Sequence, residues 1–125
     1  MLKEPVLIVD DNKMHLRLAK TILETEGFKV LTAGDVPEAK SILNYFHPAL
    51  VITDYSMPGP TGIELAHWIK MDPRTKGIKV VLMTSYLPED LKEESWEEDC
   101  DGFLSKPIDS KCLTEKIEDY LGSRK

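Results

Sequence analysis

Ala49-Leu50-Val51-Ile52-Thr53, followed at once by Asp54, is an unbroken run of apolar and β-branched residues. A strand with one face in water alternates apolar and polar side chains. A run without alternation suits a strand covered on both faces, as in a parallel sheet with helices above and below. Pro5–Val9 (PVLIV) and Lys79–Thr84 (KVVLMT) read the same way, and Lys29–Ala33 (KVLTA) and Gly102–Ser105 (GFLS) are weaker candidates. Helical patterns lie between them. Lys13–Glu26 places Leu16, Ala19 and Leu23 at helical spacing, with Met14, Leu18 and Ile22 widening the apolar face and Gly27 as terminator. Val36–Tyr45 follows Asp35, an N-cap residue, with Pro37 allowed in the first turn. Gly62–Met71 carries Ile63, Leu65, Ala66 and Ile69 and stops before Asp72-Pro73. Glu89–Glu98 is strongly acidic. Ser110–Leu121 opens on a Ser cap and turns Leu113, Ile117, Tyr120 and Leu121 inward. Strand and helix alternate five times, which predicts an α/β fold with a parallel sheet and right-handed crossovers. No linker or repeat interrupts it. The chain reads as one domain over residues 1–125, with Ser123-Arg124-Lys125 as a basic tail or the start of a linker.

Bulk properties agree. A chain of 125 residues, 42% apolar and 30% charged, can build its own core without disulfides or a structural metal. No apolar run approaches the ~20 residues that span a bilayer. Met1-Leu2-Lys3-Glu4-Pro5 lacks the plan of a signal peptide, so the reading is a cytoplasmic protein with no membrane partner. A net charge of −6 argues against direct grip on nucleic acid, which needs clustered Lys and Arg. Cys100 and Cys112 have no metal-ligand spacing and read as reduced thiols.

Ligands of open α/β sheets sit beyond the carboxyl ends of the strands. There the sequence places Asp10 and Asp11 after the first strand and Asp54 at the end of the third. Thr84 and Ser85 stand at the end of the fourth, and Lys106-Pro107 after the fifth. Three close carboxylates repel unless a cation joins them. Their hard oxygens suit Mg²⁺, which keeps several waters and takes one or two carboxylates directly. A lysine adds fixed positive charge for an incoming phosphoryl oxygen, and a hydroxyl adds a donor. Asp54, between them, is a candidate nucleophile able to form an aspartyl phosphate. Singly, each feature reads as a cap, a loop or a strand end. Their joint placement on successive strand ends is what carries the chemistry.

With these residues in place, the sequence resembles the response-regulator receiver domain of two-component signalling, the chemotaxis-regulator-like kind, over nearly its full length. The resemblance is carried by LIVDDN (Leu7–Asn12), VITDYSMPGPTGIEL (Val51–Leu65), VVLMTS (Val80–Ser85) and DGFLSKP (Asp101–Pro107). It implies a flavodoxin-like (βα)5 three-layer sandwich with strand order 2-1-3-4-5. It implies Asp54 as phosphoacceptor and Asp11 as a direct Mg²⁺ ligand. Asp10 would hold the metal largely through water, the Ser56 carbonyl would be a further ligand, and Mn²⁺ a substitute ion. Lys106 would pair with the acceptor carboxylate or phosphoryl oxygen. Thr84 would swing toward the phosphoryl group and Phe103 would rotate inward with it. Pro107 would be the cis-proline after the lysine. Met57 and Pro58 would shape the loop after the acceptor, and Gly62 the turn into the third helix. Ser56 and Tyr86 fall where the family varies, flank the path of hydrolytic water, and would tune the lifetime of the phosphorylated form. Phe103 lacks the hydroxyl that many members carry there. Asp99 and Cys100 replace small residues, with a loop of altered contacts expected.

The implied donor is a histidine kinase or histidine phosphotransfer protein, with small acyl phosphates as alternatives. The implied output is a downstream protein or effector domain met through the surface of the fourth helix, fifth strand and fifth helix, the protein acting as a monomer or a phosphorylation-dependent dimer. That surface would include Glu89, Glu93, Glu94, Trp96, Glu97 and Lys111, with Trp96 either a partner contact or half packed on the domain. The activity would be self-catalysed phosphotransfer and slow autodephosphorylation rather than turnover of an outside substrate. Three other readings fit less well. A haloacid-dehalogenase-type phosphatase needs DxD after its first strand, where Asp10-Asp11-Asn12 stands. A phosphorylation-independent binding module would be signalled by loss of an acidic residue or the lysine, and all are present. A flavodoxin-like redox protein would meet FMN phosphate with repelling carboxylates.

Overall fold

The computed structural model describes residues 5–86, 89–91, 96–106 and 109–121. Five parallel strands, β1 (Val6–Val9), β2 (Val30–Ala33), β3 (Leu50–Asp54), β4 (Lys79–Thr84) and β5 (Gly102–Ser105), form one sheet in the order β2-β1-β3-β4-β5. The helices between and after them are α1 (Lys13–Thr25), α2 (Val36–Leu43), α3 (Gly62–Met71), α4 (Trp96–Asp99) and α5 (Ser110–Leu121). The unbroken apolar strands are explained by where alternate side chains go. Leu7, Val9, Val51, Val80 and Leu82 pack with Val36, Ala39 and Leu43 of α2 and Leu65, Ala66 and Ile69 of α3. Val6, Ile8, Leu50, Ile52, Val81 and Met83 pack with Ala19 and Leu23 of α1 and Leu113 and Ile117 of α5. Both faces of the three central strands are thus sealed from water, and the period-two signal vanishes from the sequence.

The ends of the helices follow local chemistry. Asn12 caps α1, its side chain accepting from the N–H groups of Met14 and His15. Gly27, at φ 93°, closes the same helix. The Gly27 N–H reaches the Glu24 carbonyl and the Phe28 N–H the Leu23 carbonyl, a Schellman arrangement that only a residue at ease with positive φ makes cheaply. Asp35 caps α2 through the Glu38 N–H, as expected, although the helix stops at Leu43 rather than Tyr45. Thr61 and Glu64 form a reciprocal capping box at the start of α3. Ser110 is the first helical residue of α5 rather than its cap. The first bond of that helix runs from the Leu113 N–H to the Asp109 carbonyl.

Of the expected helix over Glu89–Glu98, residues 92–95 lie outside the described ones; the described residues show a 3₁₀ turn at 89–91 and α-helix over Trp96–Asp99. Asp99 sets a negative charge against the C-terminal end of the helix dipole, which does not favour extending α4. Asp99 itself closes α4 rather than lying in a loop, and pairs with His67 of α3 at 3.1 Å. Cys100 is buried in the core cluster that includes residues of α3 and β4, its thiol pushed up to about 12 by burial. Cys112 is exposed on α5, and both thiols are free. Asp101 ties the sheet edge together: one oxygen accepts from Lys70 Nζ and from the Val80 N–H, each at 2.8 Å.

Candidate functional site

Register places the polar residues before any side-chain detail is needed. Val9 lies beside Thr53, so the next residues, Asp10 and Asp54, stand side by side where the parallel strands end. Asp54 is level with Met83, so Thr84 stands one step further along the edge. Thr84 is level with Ser105, and the Lys106 N–H continues the ladder to the Thr84 carbonyl at 3.0 Å. Residues separated by up to 96 positions therefore meet at one edge of the sheet.

The side chains converge as the sequence predicts. One carboxylate oxygen from each of Asp10, Asp11 and Asp54 lies within 4.8 Å of the others. Asp10 is fully buried, Asp54 nearly so, and Asp11 is exposed. Lys106 Nζ lies 2.9 Å from Asp10 Oδ2 and 3.4 Å from Asp54 Oδ2. Asp10 Oδ1 accepts the Asn12 N–H at 2.9 Å, which turns the chain into α1. Asp54 Oδ1 accepts the Tyr55 N–H at 2.9 Å. Burial raises the carboxyl of Asp54 above the ordinary aspartate value, opposed by the charge of Lys106 and reinforced by that of Asp10. Three carboxylates facing one ammonium leave excess negative charge. Hard oxygens at this separation, one of them open to water, fit a small divalent cation that retains part of its hydration.

The remaining predicted residues surround this group. Thr84 is buried, and its Oγ1 accepts the Tyr86 N–H at 3.2 Å. Ser56 is exposed in the loop after β3. Met57 buries its side chain in the α2–α3 layer and anchors that loop, whereas Pro58 is exposed. Gly62 is required for space: a Cβ there would collide with the Asp54 carbonyl and touch Thr53 Oγ1. Its N–H also holds the Tyr55 carbonyl at 3.0 Å, so α3 begins pressed against the acceptor strand. Phe103 is half-buried and stacks on Trp96, ring centroids 5.1 Å apart at 56°. Pro107, and Glu93 and Glu94 of the acidic segment, lie outside the described residues.

Two features escape the strand-end reading. Tyr55 and Tyr86 meet edge to face, 5.6 Å between centroids, linking the loops that leave β3 and β4. His15 of α1 brings Nδ1 to 3.1 Å from Lys106 Nζ and 3.5 Å from Asp10 Oδ2. Its position in the first turn was the available signal, because helical side chains lean toward the N-terminus and here over the end of β1.

This geometry has known counterparts. The response regulator receiver domain family matches residues 6–118. The polar-differentiation response regulator DivK of Brucella ovis is 29% identical over 117 residues, covering 94% of this chain and 95% of that protein. A CheY-like receiver domain protein from Methanospirillum hungatei superposes with a TM-score of 0.86 at 30% identity, covering 98% of this chain and 95% of that one. The chemotaxis response regulator CheY4 of Vibrio cholerae gives 0.88 at 25% identity, covering 96% and 99%. The five-stranded order, the acidic edge and the match across nearly the whole chain make this protein a member of the response-regulator receiver domain family.

Proposed function

We propose that this chain is a single phosphoryl-accepting receiver unit that takes its phosphoryl group onto Asp54 in a Mg²⁺-dependent reaction. The observation that carries this reading is the meeting of Asp10, Asp11, Asp54 and Lys106 at one sheet edge, with the ammonium within 3.4 Å of the acceptor carboxylate. The donor is a phosphohistidine on a histidine kinase or a histidine phosphotransfer protein. An ionised Asp54 oxygen attacks phosphorus, the P–N bond breaks, and the electron pair leaves with the imidazole of the donor. No general base is needed, because the nucleophile is already deprotonated. Lys106 neutralises a phosphoryl oxygen, and Thr84 donates its hydroxyl proton to another. Asp11 would hold Mg²⁺ directly, with the Ser56 carbonyl, and Asp10 largely through water. The ion, when bound, supplies charge neutralisation at the phosphoryl oxygens, and Mn²⁺ can replace it.

Movement of Thr84 toward the new dianion vacates space for Phe103, which is stacked on Trp96 of α4. The α4-β5-α5 surface, which carries exposed Lys111 and half-buried Trp96, then presents a changed face to a downstream protein or effector domain. Pairing of two phosphorylated copies is one form that change can take. Hydrolysis of the acyl phosphate resets the switch, and Tyr86 and Ser56 border the approach of water. The site turns over its own phosphoryl group rather than an outside substrate. No described helix is long and apolar enough to cross a membrane, and we place the protein in the cytoplasm, without direct contact to nucleic acid.

Asp54→Asn is expected to abolish stoichiometric labelling by a phosphorylated histidine kinase or by acetyl phosphate, while wild type labels to about one phosphoryl per chain. Undiminished labelling of the variant would remove Asp54 as acceptor. Beryllium fluoride is expected to bind only with Mg²⁺ or Mn²⁺ present, and equal binding in excess chelator counts against the metal.

A further inference from the structure

We infer that His15 is a positioning residue for Lys106, supplying the neutral acceptor that keeps the ammonium aimed at the phosphoryl site; this rests on the phosphoacceptor reading of Asp54. The geometry leaves little freedom. Lys106 Nζ lies 2.9 Å from Asp10 Oδ2 and 3.1 Å from His15 Nδ1. An ammonium has only hydrogens to offer, so Nδ1 must be the acceptor, and the ring proton belongs on Nε2. On this assignment Nδ1 and Asp10 Oδ2, 3.5 Å apart, are two acceptors sharing one ammonium. The third N–H of Lys106 is left for Asp54 Oδ2, at 3.4 Å.

The need for such a residue follows from a conflict at Asp10. Its Oδ2 is the better partner of Lys106, yet the same carboxylate belongs to the group proposed to hold the cation. When Asp10 turns to that task, its hold on the ammonium weakens. A lysine side chain with four rotatable bonds would then lose its direction. His15 keeps one N–H engaged without adding negative charge, so it does not compete electrostatically with the incoming phosphoryl oxygens. The ring is itself well placed for this. Asn12 pins the backbone N–H of His15 at 3.1 Å, fixing the first turn of α1 over the end of β1. The side chain is 43% exposed, so packing gives it little other purpose.

The test compares wild type with His15→Leu, His15→Asn and His15→Gln. The Asn Oδ1 falls near the place of Nδ1, Leu keeps bulk without an acceptor, and the Gln amide reaches past the position. Affinity for beryllium fluoride in saturating Mg²⁺ and the rate of labelling by acetyl phosphate are measured, with thermal midpoints as a check on folding. His15→Leu and His15→Gln are expected to weaken fluoride affinity roughly tenfold, and His15→Asn to stay within about threefold of wild type. In a Lys106→Met background, His15→Leu should add no further loss, because the residue acts only through the lysine. The inference is overturned by His15→Leu binding as tightly as wild type. It is also overturned by His15→Asn being as weak as His15→Leu, or by additive losses in the double variant. Failure of wild type itself to bind beryllium fluoride with Mg²⁺ would instead reject the phosphoacceptor reading on which the inference stands.

Discussion

At the scale of single residues, Asp54 is held where a charge is costly. Burial raises its folded-state value above that of the unfolded chain. The stability it contributes is therefore complete below the ordinary carboxylate range, and is lost as pH rises through the raised value. At neutral pH the ionised group works against folding. Asp54→Asn should raise the metal-free unfolding midpoint at pH 7 by a few degrees, for about 1 kcal/mol. The gain should shrink as pH falls through the window above the usual ~3.9 of aspartate. Thermal melts across that range check it, and a gain independent of pH would contradict the assignment. Gly62 sets a different limit. Its Cβ would meet the Asp54 carbonyl, so Gly62→Ala must push α3 away from β3, at a cost of about 2 kcal/mol in urea unfolding. Asp10, Asp54, Thr84 and Lys106 were legible in the sequence because each stands at the end of a strand or one step beyond it, a position that register alone decides. His15 was not, because its role depends on how a side chain leans from the first turn of a helix.

At the scale of elements, the clearest sequence signals were those with a local cause. Asp35, Gly27 and the unbroken strand runs act through neighbours in the chain, and the structure puts them where the pattern does. The start of α3 is another local device. Removing the Thr61 hydroxyl leaves the Glu64 N–H without its cap, and Thr61→Ala should cost about 1 kcal/mol, measured by chemical denaturation. The cap lies just ahead of Gly62, so the same variant should also slow labelling of Asp54. By contrast, the acidic stretch Glu89–Glu98 has no local device that fixes a helix, and its described residues divide between a 3₁₀ turn at 89–91 and α4. Its charges were visible, but the weight of repeated like pairs against a few apolar contacts is a balance of small energies. Trp96 keeps its short helix useful by stacking on Phe103, a contact between α4 and β5 that no spacing rule announces.

At the scale of the whole molecule, the acidic edge stores repulsion that a cation should relieve. Mg²⁺ at 100 times its dissociation constant should stabilise the native state by about 2.7 kcal/mol, because the unfolded chain has no such site. Calorimetry should show the rise in wild type and most of it missing in Asp11→Asn. Equal shifts in both would remove Asp11 from the ligand set. The strand order was readable because alternating elements leave few ways to build a parallel sheet, whereas the contacts that lock its edge, such as Lys70 with Asp101, needed the assembled structure.

The clasp between Lys106 and Asp10 joins the last strand to the first across 96 positions. A nascent or partly opened chain, lacking β5, owns Asp10, Asp11 and Asp54 but not the ammonium that completes the site. On the reading advanced above, a kinase signal would accordingly be recorded only by molecules that have finished folding. Acceptance of the message then doubles as a quality check on the receiver.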